Sequence, residues 1–189
     1  MAKEKIQIVF TGAQGTGKTT LVNELNKRLN IKTLSIARNT AINSGWTSKT
    51  PGSVEYQKEL FEKLYKAISS KKSFVSDRAL SCVAGYTFNH ALANMSNSDF
   101  KKLADNQYKK FCKFHNEHQD VIIVYTPIEF ELEEDGLRST DKELQHGLDF
   151  IIKNLLDTSN ANYLTVTGTV EERIEQIMQE LRNRGLISA

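Results

Sequence analysis

The sequence has little charge of one sign and no long hydrophobic run. Its 25 lysines and arginines nearly balance its 23 aspartates and glutamates, and the net charge is only +2. Such a mild charge does not favour a nucleic-acid track or a membrane surface. No apolar run approaches the roughly 20 residues that span a bilayer, and the opening MAKEKIQ lacks the apolar stretch of a signal peptide. We therefore expect a cytoplasmic protein without a membrane partner.

Cysteine is equally scarce, because Cys82 and Cys112 are the only two in the chain. Two cysteines are a weak basis for a disulfide framework, and reduced thiols fit an intracellular chain better. The sequence shows no internal repeat, low-complexity tract or convincing linker. Its 189 residues suit one domain with a sizeable core. We expect a single domain over residues 1–189.

Short β-type runs alternate with helical patterns along the chain. The five runs are Ile6 to Phe10, Thr33 to Ile36, Ser73 to Ser76, Val121 to Tyr125, and Tyr163 to Val166. Thr140-x-x-Glu143 and Thr169-x-x-Glu172 have capping-box spacing and are expected to open the last two helices. This alternation predicts a three-layer α/β fold, in which a mostly parallel five-stranded sheet lies between helices. Ligands of such sheets bind at the carboxyl ends of the strands.

The stretch directly behind the first strand predicts a phosphate-binding loop. It reads GAQGTGKTT over residues 12–20 and fits G-x-x-x-x-G-K-[ST] without a mismatch. Glycines let backbone N–H groups turn inward around an anion, and the following helix adds its positive N-terminal end. Lys18 supplies charge for the β- and γ-phosphates, and Thr19 supplies a hydroxyl for Mg²⁺. We expect ATP and Mg²⁺ as cofactors, bound by Gly12, Ala13, Gln14, Gly15, Thr16, Gly17, Lys18, Thr19 and Thr20.

An aspartate and an arginine follow the third strand. Asp77 ends an apolar run, where a carboxylate can hold Mg²⁺ through water or take a proton from an attacking hydroxyl. The alternative is that Asp77 caps the next helix. Arg78 presents a planar fork that can grip a phosphate of the substrate, although a surface ion pair is its alternative. Tyr86 either stacks a base or sugar of the substrate or packs in the core.

The other strand ends carry further candidates. Arg38 follows the second strand. Like Arg78, it either grips a phosphate of the substrate or forms a surface ion pair. The acidic segment 127–139 is either a solvated loop or a lid that excludes water from ATP and brings Arg138 to the transferring phosphoryl group. Gly168 and Thr169 follow the last strand, where backbone groups can meet the base of a nucleotide or form only a turn and an N-cap.

Together these residues resemble the P-loop nucleoside and nucleotide kinases. VSDR at residues 75–78, followed by Ser81 and Gly85-Tyr86, is similar to the thymidylate-kinase segment in which Asp-Arg follows a strand. Arg38 lies where those kinases place an arginine for the phosphate of the acceptor. The chain also resembles the ribosylnicotinamide-kinase domain. Small AAA-type ATPase-like proteins, often from bacteriophages, are similar in the segments 135–138 (DGLR) and 166–173.

The resemblance implies ATP-dependent phosphorylation of a nucleoside or a nucleoside monophosphate. Gln14 departs from the acidic residue that thymidylate kinases often carry there, and Ala79 replaces their tyrosine. No thymine-specific pocket is recognisable, so the base and sugar of the acceptor stay open. Many such kinases pair through helices, and a homodimer is one expectation, although no helical seam is evident.

Two other functions are compatible with the phosphate loop. The first is an ATPase or GTPase without a small-molecule acceptor. It is disfavoured because the sequence has no N-K-x-D base-recognition motif, and because Asp77 is followed by arginine rather than by a second acidic residue. The second is a kinase that acts on a hydroxyl of DNA or RNA, which the weak net charge disfavours.

Overall fold

The computed structural model describes residues 5–37, 40, 54–70, 72–131 and 141–188. The strands in these ranges are β1 Gln7–Thr11, β2 Thr33–Leu34, β3 Phe74–Ser76, β4 Ile122–Tyr125 and β5 Tyr163–Thr165. The helices there are α1 Lys18–Leu29, α2 Val54–Ile68, α3 Leu80–Asn94, α4 Asn97–Glu117, α5 Lys142–Thr158 and α6 Val170–Asn183. Each of the five predicted strands is present within two residues of its expected bounds.

The five strands form one parallel sheet in the order β2-β3-β1-β4-β5. In its register Val9 lies beside Ser76, and Thr11 lies beside Tyr125. Because every neighbouring pair is parallel, the carboxyl ends of the strands meet at one edge, which we call the carboxyl edge. The predicted α/β fold is confirmed, and the described sheet is wholly rather than mostly parallel. β1 is the central strand, so the segment behind it lies in the middle of this edge.

Helices cover both faces of the sheet because successive strand residues point to opposite sides. Ile8 and Phe10 of β1 pack with α1 and α6, while Val9 packs with α2, α3, α4 and α5. The first cluster is completed by Leu21, Val22, Leu25, Ile174, Ile177 and Leu181. The second includes Leu60, Phe61, Leu64, Leu80, Phe111, Phe114, Ile152 and Leu156. Burial of these apolar side chains supplies the main driving force for the fold.

The starts of the last two helices test the predicted caps. The side chain of Thr169 accepts from the Glu172 amide, and the Glu172 side chain accepts from the Thr169 amide, which confirms the predicted capping box. α5 instead begins with Asp141 as its N-cap, whose side chain accepts from the Leu144 amide. The prediction of a capping box at Thr140 was therefore wrong in its position, because the aspartate carboxylate one residue later satisfies the free amide. Thr140 itself lies outside the described residues.

No helix in the described ranges is both long enough and apolar enough to cross a membrane.

The two faces of α5 should differ sharply in their sensitivity to substitution. Ile152 is fully buried, whereas Phe150 is 70% exposed two residues earlier. We expect Ile152→Ala to lower the free energy of unfolding by about 2–5 kcal/mol, because it leaves a cavity. Phe150→Ala, the matched control, should change it by less than about 0.5 kcal/mol. Urea unfolding followed by circular dichroism measures both, and equal losses would mean that α5 packs with a different face.

Candidate active site

The phosphate loop, residues 12–20, leaves β1 at the centre of the carboxyl edge. Gly12, Gly15 and Gly17 have φ of 141°, 74° and 84°, values that favour glycine. A Cβ on Gly12 would lie 2.4 Å from the carbonyl oxygen of Thr126, so the loop passes directly against the end of β4. The hydroxyls of Thr16 and Thr126 lie 2.8 Å apart and join the two segments. The end of the neighbouring strand thus holds the loop in its turn.

Lys18 folds its side chain back over this loop. Its Nζ donates to the carbonyl of Ala13, and it lies 3.1 Å from Oγ1 of Thr16. Lys18 is only 8% exposed, while Thr19 and Thr20 at the start of α1 are exposed. The structure therefore places a buried positive charge against the loop backbone and two exposed hydroxyls beside it. This arrangement can neutralise a bound phosphate, and a hydroxyl at Thr19 is open to a cation.

Asp77 leaves the end of β3, next to β1 at the carboxyl edge. Its Oδ1 is buried and has no hydrogen-bond partner among the described residues. Burial raises the pKa of Asp77, and the charges of Arg78 and Lys18 lower it. Ala79 is the N-cap of α3, so the alternative in which Asp77 takes that position is not observed. A buried carboxylate oxygen near the loop lysine is suited to a cation, a bound water or an acceptor hydroxyl.

Arg78 points along α3 and lies beside the phosphate loop. Its NH1 donates to Sγ of Cys82 at 3.1 Å, and its guanidinium carbon lies 5.1 Å from the centroid of the Tyr86 ring. The nearby Cys82 is the largest influence that raises the pKa of Arg78, which stays charged. Within the part of the chain that the structure describes, Arg78 is joined to a thiol and a ring rather than to a surface carboxylate.

Two aromatic side chains flank Arg78. The hydroxyl of Tyr86 donates to Oε1 of Gln14 in the phosphate loop at 3.5 Å. The hydroxyl of Tyr56 on α2 donates to the carbonyl of Ala37 at 3.2 Å. Burial raises the pKa of Tyr56, and the charge of Arg78 lowers it, so the two groups are close. Tyr56, Arg78 and Tyr86 thereby form one wall beside Asp77, with planar groups that can contact a base or sugar.

Two polar residues of α5 also reach the site, and the sequence analysis did not single them out. Gln145, 2% exposed, donates through Nε2 to the carbonyl of Gln14 at 2.8 Å. One turn later, Asp149 accepts from the hydroxyl of Tyr125 at 2.9 Å, and burial raises the pKa of Asp149. The charge of Lys18 is among the influences that lower it. The sequence pattern that could have identified them is their spacing of four residues on the inward face of α5, where two polar residues interrupt an apolar stripe.

Arg173 is a third candidate site residue to which the sequence analysis assigned no role, although it ends the segment 166–173 noted there. It occupies the apolar stripe of α6 and is 1% exposed. Its Nε donates to the carbonyl of Gly168 and its NH1 to the carbonyl of Thr16, both at 2.9 Å. Its NH2 donates to Glu129, which also accepts from the Gly168 amide at 3.0 Å. The segments behind β4 and β5 are thereby joined to the phosphate loop.

Several predicted site residues cannot be placed. Arg38 and Arg138 lie outside the described residues, as do residues 132–139 of the predicted lid segment. The described part of that segment, 127–131, contains Glu129 and the half-exposed Phe130, whose ring lies 4.8 Å from the guanidinium carbon of Arg173. Thr169 serves as the N-cap of α6.

No described cluster of three or more histidine, cysteine, aspartate or glutamate side chains could hold a metal ion. A cation at this site would therefore depend on a hydroxyl, a single carboxylate, water and phosphate oxygens, as Mg²⁺ in nucleotide sites commonly does. The Asp77 oxygen, which has no partner in the part of the chain that the structure describes, and the exposed Thr19 fit such a cation.

Comparison with solved structures shows the same fold in small-molecule kinases. The deoxyadenosine kinase from M. mycoides, solved with dCMP and dCDP, matches with a TM-score of 0.62 and 18% identity, over 95% of this chain and 100% of that chain. The shikimate kinase from Aquifex aeolicus matches with a TM-score of 0.57 and 17% identity, over 96% and 99% of the two chains.

A third solved structure with this fold is larger. The NadR protein in complex with NAD and AMP-PNP matches with a TM-score of 0.63 and 14% identity, over 93% of this chain. This chain spans 49% of the NadR chain, about half its length. No curated protein matches the sequence.

A protein-family model described as an AAA domain, AAA_28, matches residues 7–173, which include every strand of the sheet and the phosphate loop. The resemblance to P-loop kinases is thus confirmed at the level of the fold. The chain belongs to the AAA_28 family of AAA domains and has the fold of the P-loop kinases.

Proposed function

We propose that the protein transfers a phosphoryl group from ATP to a nucleoside or nucleoside monophosphate, with Mg²⁺ as the second cofactor. One observation carries the proposal: a buried oxygen of Asp77, without a hydrogen-bond partner in the described ranges, lies near Lys18 of the phosphate loop and beside Arg78. The proposal is supported by a loop with the phosphate-binding motif, a carboxylate and planar side chains that lie near one another. These are the parts that transfer to a second molecule requires.

Each part of the site has a defined role in this reaction. The phosphate loop binds the β- and γ-phosphates of ATP, Lys18 neutralises the charge that develops on them, and Thr19 offers a hydroxyl to Mg²⁺. Asp77 would hold the cation through water, or orient the hydroxyl of the acceptor. The acceptor oxygen bonds to the γ-phosphorus as the bond to the β-phosphate oxygen breaks, ADP leaves, and the hydroxyl proton passes to Asp77 or to water. Catalysis then consists mainly of positioning and electrostatic stabilisation.

The acceptor is assigned to the wall made by Tyr56, Arg78 and Tyr86. Arg78 offers a fixed positive charge, and the two rings offer flat apolar surfaces for a base or sugar. We assign Arg38 to the same acceptor and Arg138 to the transferring phosphoryl group on sequence grounds alone. Gly168 and Thr169 are assigned to the base of ATP. The deoxyadenosine kinase with this fold supports a nucleoside-like acceptor.

A second candidate function is hydrolysis of ATP without a small-molecule acceptor. The description of the matching family as an AAA domain favours it. The planar side chains beside Asp77 disfavour it, because hydrolysis by water needs no surface for a base or a sugar.

Product analysis distinguishes the two functions. ATP consumption is measured with Mg²⁺, alone and with nucleosides, ribosylnicotinamide, and ribo- and deoxyribonucleoside monophosphates, and products are identified by mass spectrometry. The proposed function requires one acceptor to raise consumption well above background and to gain one phosphoryl group. Steady hydrolysis with every acceptor unmodified would instead establish the ATPase.

Asp77→Asn should separate turnover from ATP binding. The amide can neither accept the hydroxyl proton nor hold the cation through water as a carboxylate does, so we expect kcat to fall about 100-fold or more. The dissociation constant of ATP, measured by calorimetry, should change by less than about threefold because Lys18 and the loop are intact. Asp120→Asn is the control, since Asp120 lies at the amino end of β4 and pairs with Lys5. Near-normal turnover of Asp77→Asn would remove Asp77 from the mechanism.

The acidic limb of the pH profile should report the environment of Asp77. Asp77 acts in its ionised form, so kcat/KM should be full above its pKa and fall as the pH drops through that value. Because burial raises the pKa of Asp77, the pH at which kcat/KM falls to half should be higher than the pKa of about 3.9 of an ordinary aspartate. Initial rates from pH 4 to pH 8 measure it, with circular dichroism at each pH to check folding. A profile flat down to pH 4 would contradict this role.

Arg78→Lys should weaken acceptor binding selectively. Lysine keeps the charge but loses the planar fork and its contact with the Tyr86 ring. We expect KM for the acceptor to rise about 10- to 100-fold, while KM for ATP changes little. Arg28→Lys on α1, whose guanidinium pairs with Glu171 at the surface, is the matched control. A parallel rise in both KM values would place Arg78 at the ATP site instead.

A further inference from the structure

Arg173 is buried to an extent that is rare for arginine. It is 1% exposed and is one of the four buried residues of α6, with Ile174, Ile177 and Leu181. Arginine is almost never fully buried unless its donors are paired. Here Nε, NH1 and NH2 donate to three separate acceptors: Gly168, Thr16 and Glu129. A group fastened at three points holds those acceptors in fixed relative positions.

The bond to Thr16 acts on the turn of the phosphate loop. Arg173 NH1 donates to the Thr16 carbonyl at 2.9 Å, and a Cβ on Gly17 would lie 3.5 Å from the same nitrogen. The described peptide bonds are trans, so the carbonyl of Thr16 and the N–H of Gly17 point in opposite directions. Holding the carbonyl on Arg173 therefore aims the N–H of Gly17 away from α6. In a loop of this motif, such backbone N–H groups bind the phosphate.

The charge of Arg173 is already neutralised within the protein. Glu129 pairs with NH2, and the ring of Phe130 lies 4.8 Å from the guanidinium carbon. Glu129 also accepts from the Gly168 amide, which ties the segment behind β4 to the loop behind β5. Each guanidinium nitrogen donates to a protein acceptor and the side chain is only 1% exposed, so Arg173 acts on a phosphate through the loop backbone rather than by direct contact.

We infer that Arg173, held by Glu129, is a positioning residue that sets the phosphate loop in its anion-binding conformation. This role rests on the proposed function in one respect, namely that residues 12–20 bind nucleotide phosphates. It does not depend on whether an acceptor exists, so binding experiments without an acceptor test it separately from phosphoryl transfer.

The test compares Arg173→Lys with the unchanged protein, using two ligands in the presence of Mg²⁺. ATP probes the complete nucleotide site, and inorganic tripolyphosphate probes the phosphate loop without a base. Lysine keeps the charge but cannot reach three acceptors, so calorimetry should show about tenfold weaker binding of both ligands. Arg182→Lys, on the same helix and paired with Glu175 at the surface, should stay within twofold.

The amide resonance of Gly17 supplies a readout that general destabilisation would not move. In ¹⁵N-labelled protein, tripolyphosphate should shift this resonance in the unchanged protein and shift it much less in Arg173→Lys. The amide of Gly85, which lies on α3 against Ile152, serves as the internal reference. Folding of each variant is checked by circular dichroism.

Two results with Arg173→Lys would overturn the inference. One is binding of both ligands within twofold of the unchanged protein by folded Arg173→Lys. The other is weaker binding of ATP alone, which would assign Arg173 to the base site. If Arg173→Lys does not fold, Glu129→Gln decides. Glu129→Gln leaves the bonds from Arg173 to Thr16 and Gly168 in place. We expect it to bind ATP and tripolyphosphate two- to fivefold more weakly. Unchanged binding of both ligands would overturn the positioning role of Arg173. If tripolyphosphate does not bind the unchanged protein, the loop is not an anion site and the inference fails with it.

Discussion

The close approach of Gly12 to the end of β4 is the contact on which the rest of the site depends. A side chain on Gly12 would collide with the Thr126 carbonyl, so only glycine lets the chain turn at this point. The turn is also held by the paired hydroxyls of Thr16 and Thr126 and by the bond from Thr126 to the carbonyl of Thr11. The phosphate loop is therefore shaped by the neighbouring strand as much as by its own residues.

Around this turn the structure gathers groups from distant parts of the chain. Lys18 lies against the loop backbone, and Asp77 and Asp149 approach it from β3 and α5. Burial raises the pKa of both carboxyl groups, and the charge of Lys18 lowers each, so the lysine stabilises their ionised forms. A site that binds a polyphosphate needs such buried charge in a fixed position, because reorganising it during transfer would cost free energy.

The sequence predicted the parts of this molecule that depend on neighbours in the chain. The phosphate loop motif, the five strands and the capping box at Thr169 are local patterns, and each strand matched within two residues. Asp77 and Arg78 were singled out as candidates because a parallel sheet brings all strand ends to one edge. The helix start at Thr140 was predicted wrongly, because two adjacent residues can both cap and the sequence does not rank them.

Other site residues were decided only by the tertiary structure. Gln145, Asp149 and Arg173 stand in apolar helix stripes, where the sequence shows an interruption but not its partner. Their partners lie 131, 24 and 157 residues away along the chain. Local patterns carry no information about such separations, because the contacts form only when helices close over the sheet. The sequence alone determined that a loop with a phosphate-binding motif follows the first strand at residues 12–20, and only the sheet order showed that this strand is central. Tertiary packing decided what holds that loop in place, since only packing can bury an arginine of α6 against its backbone.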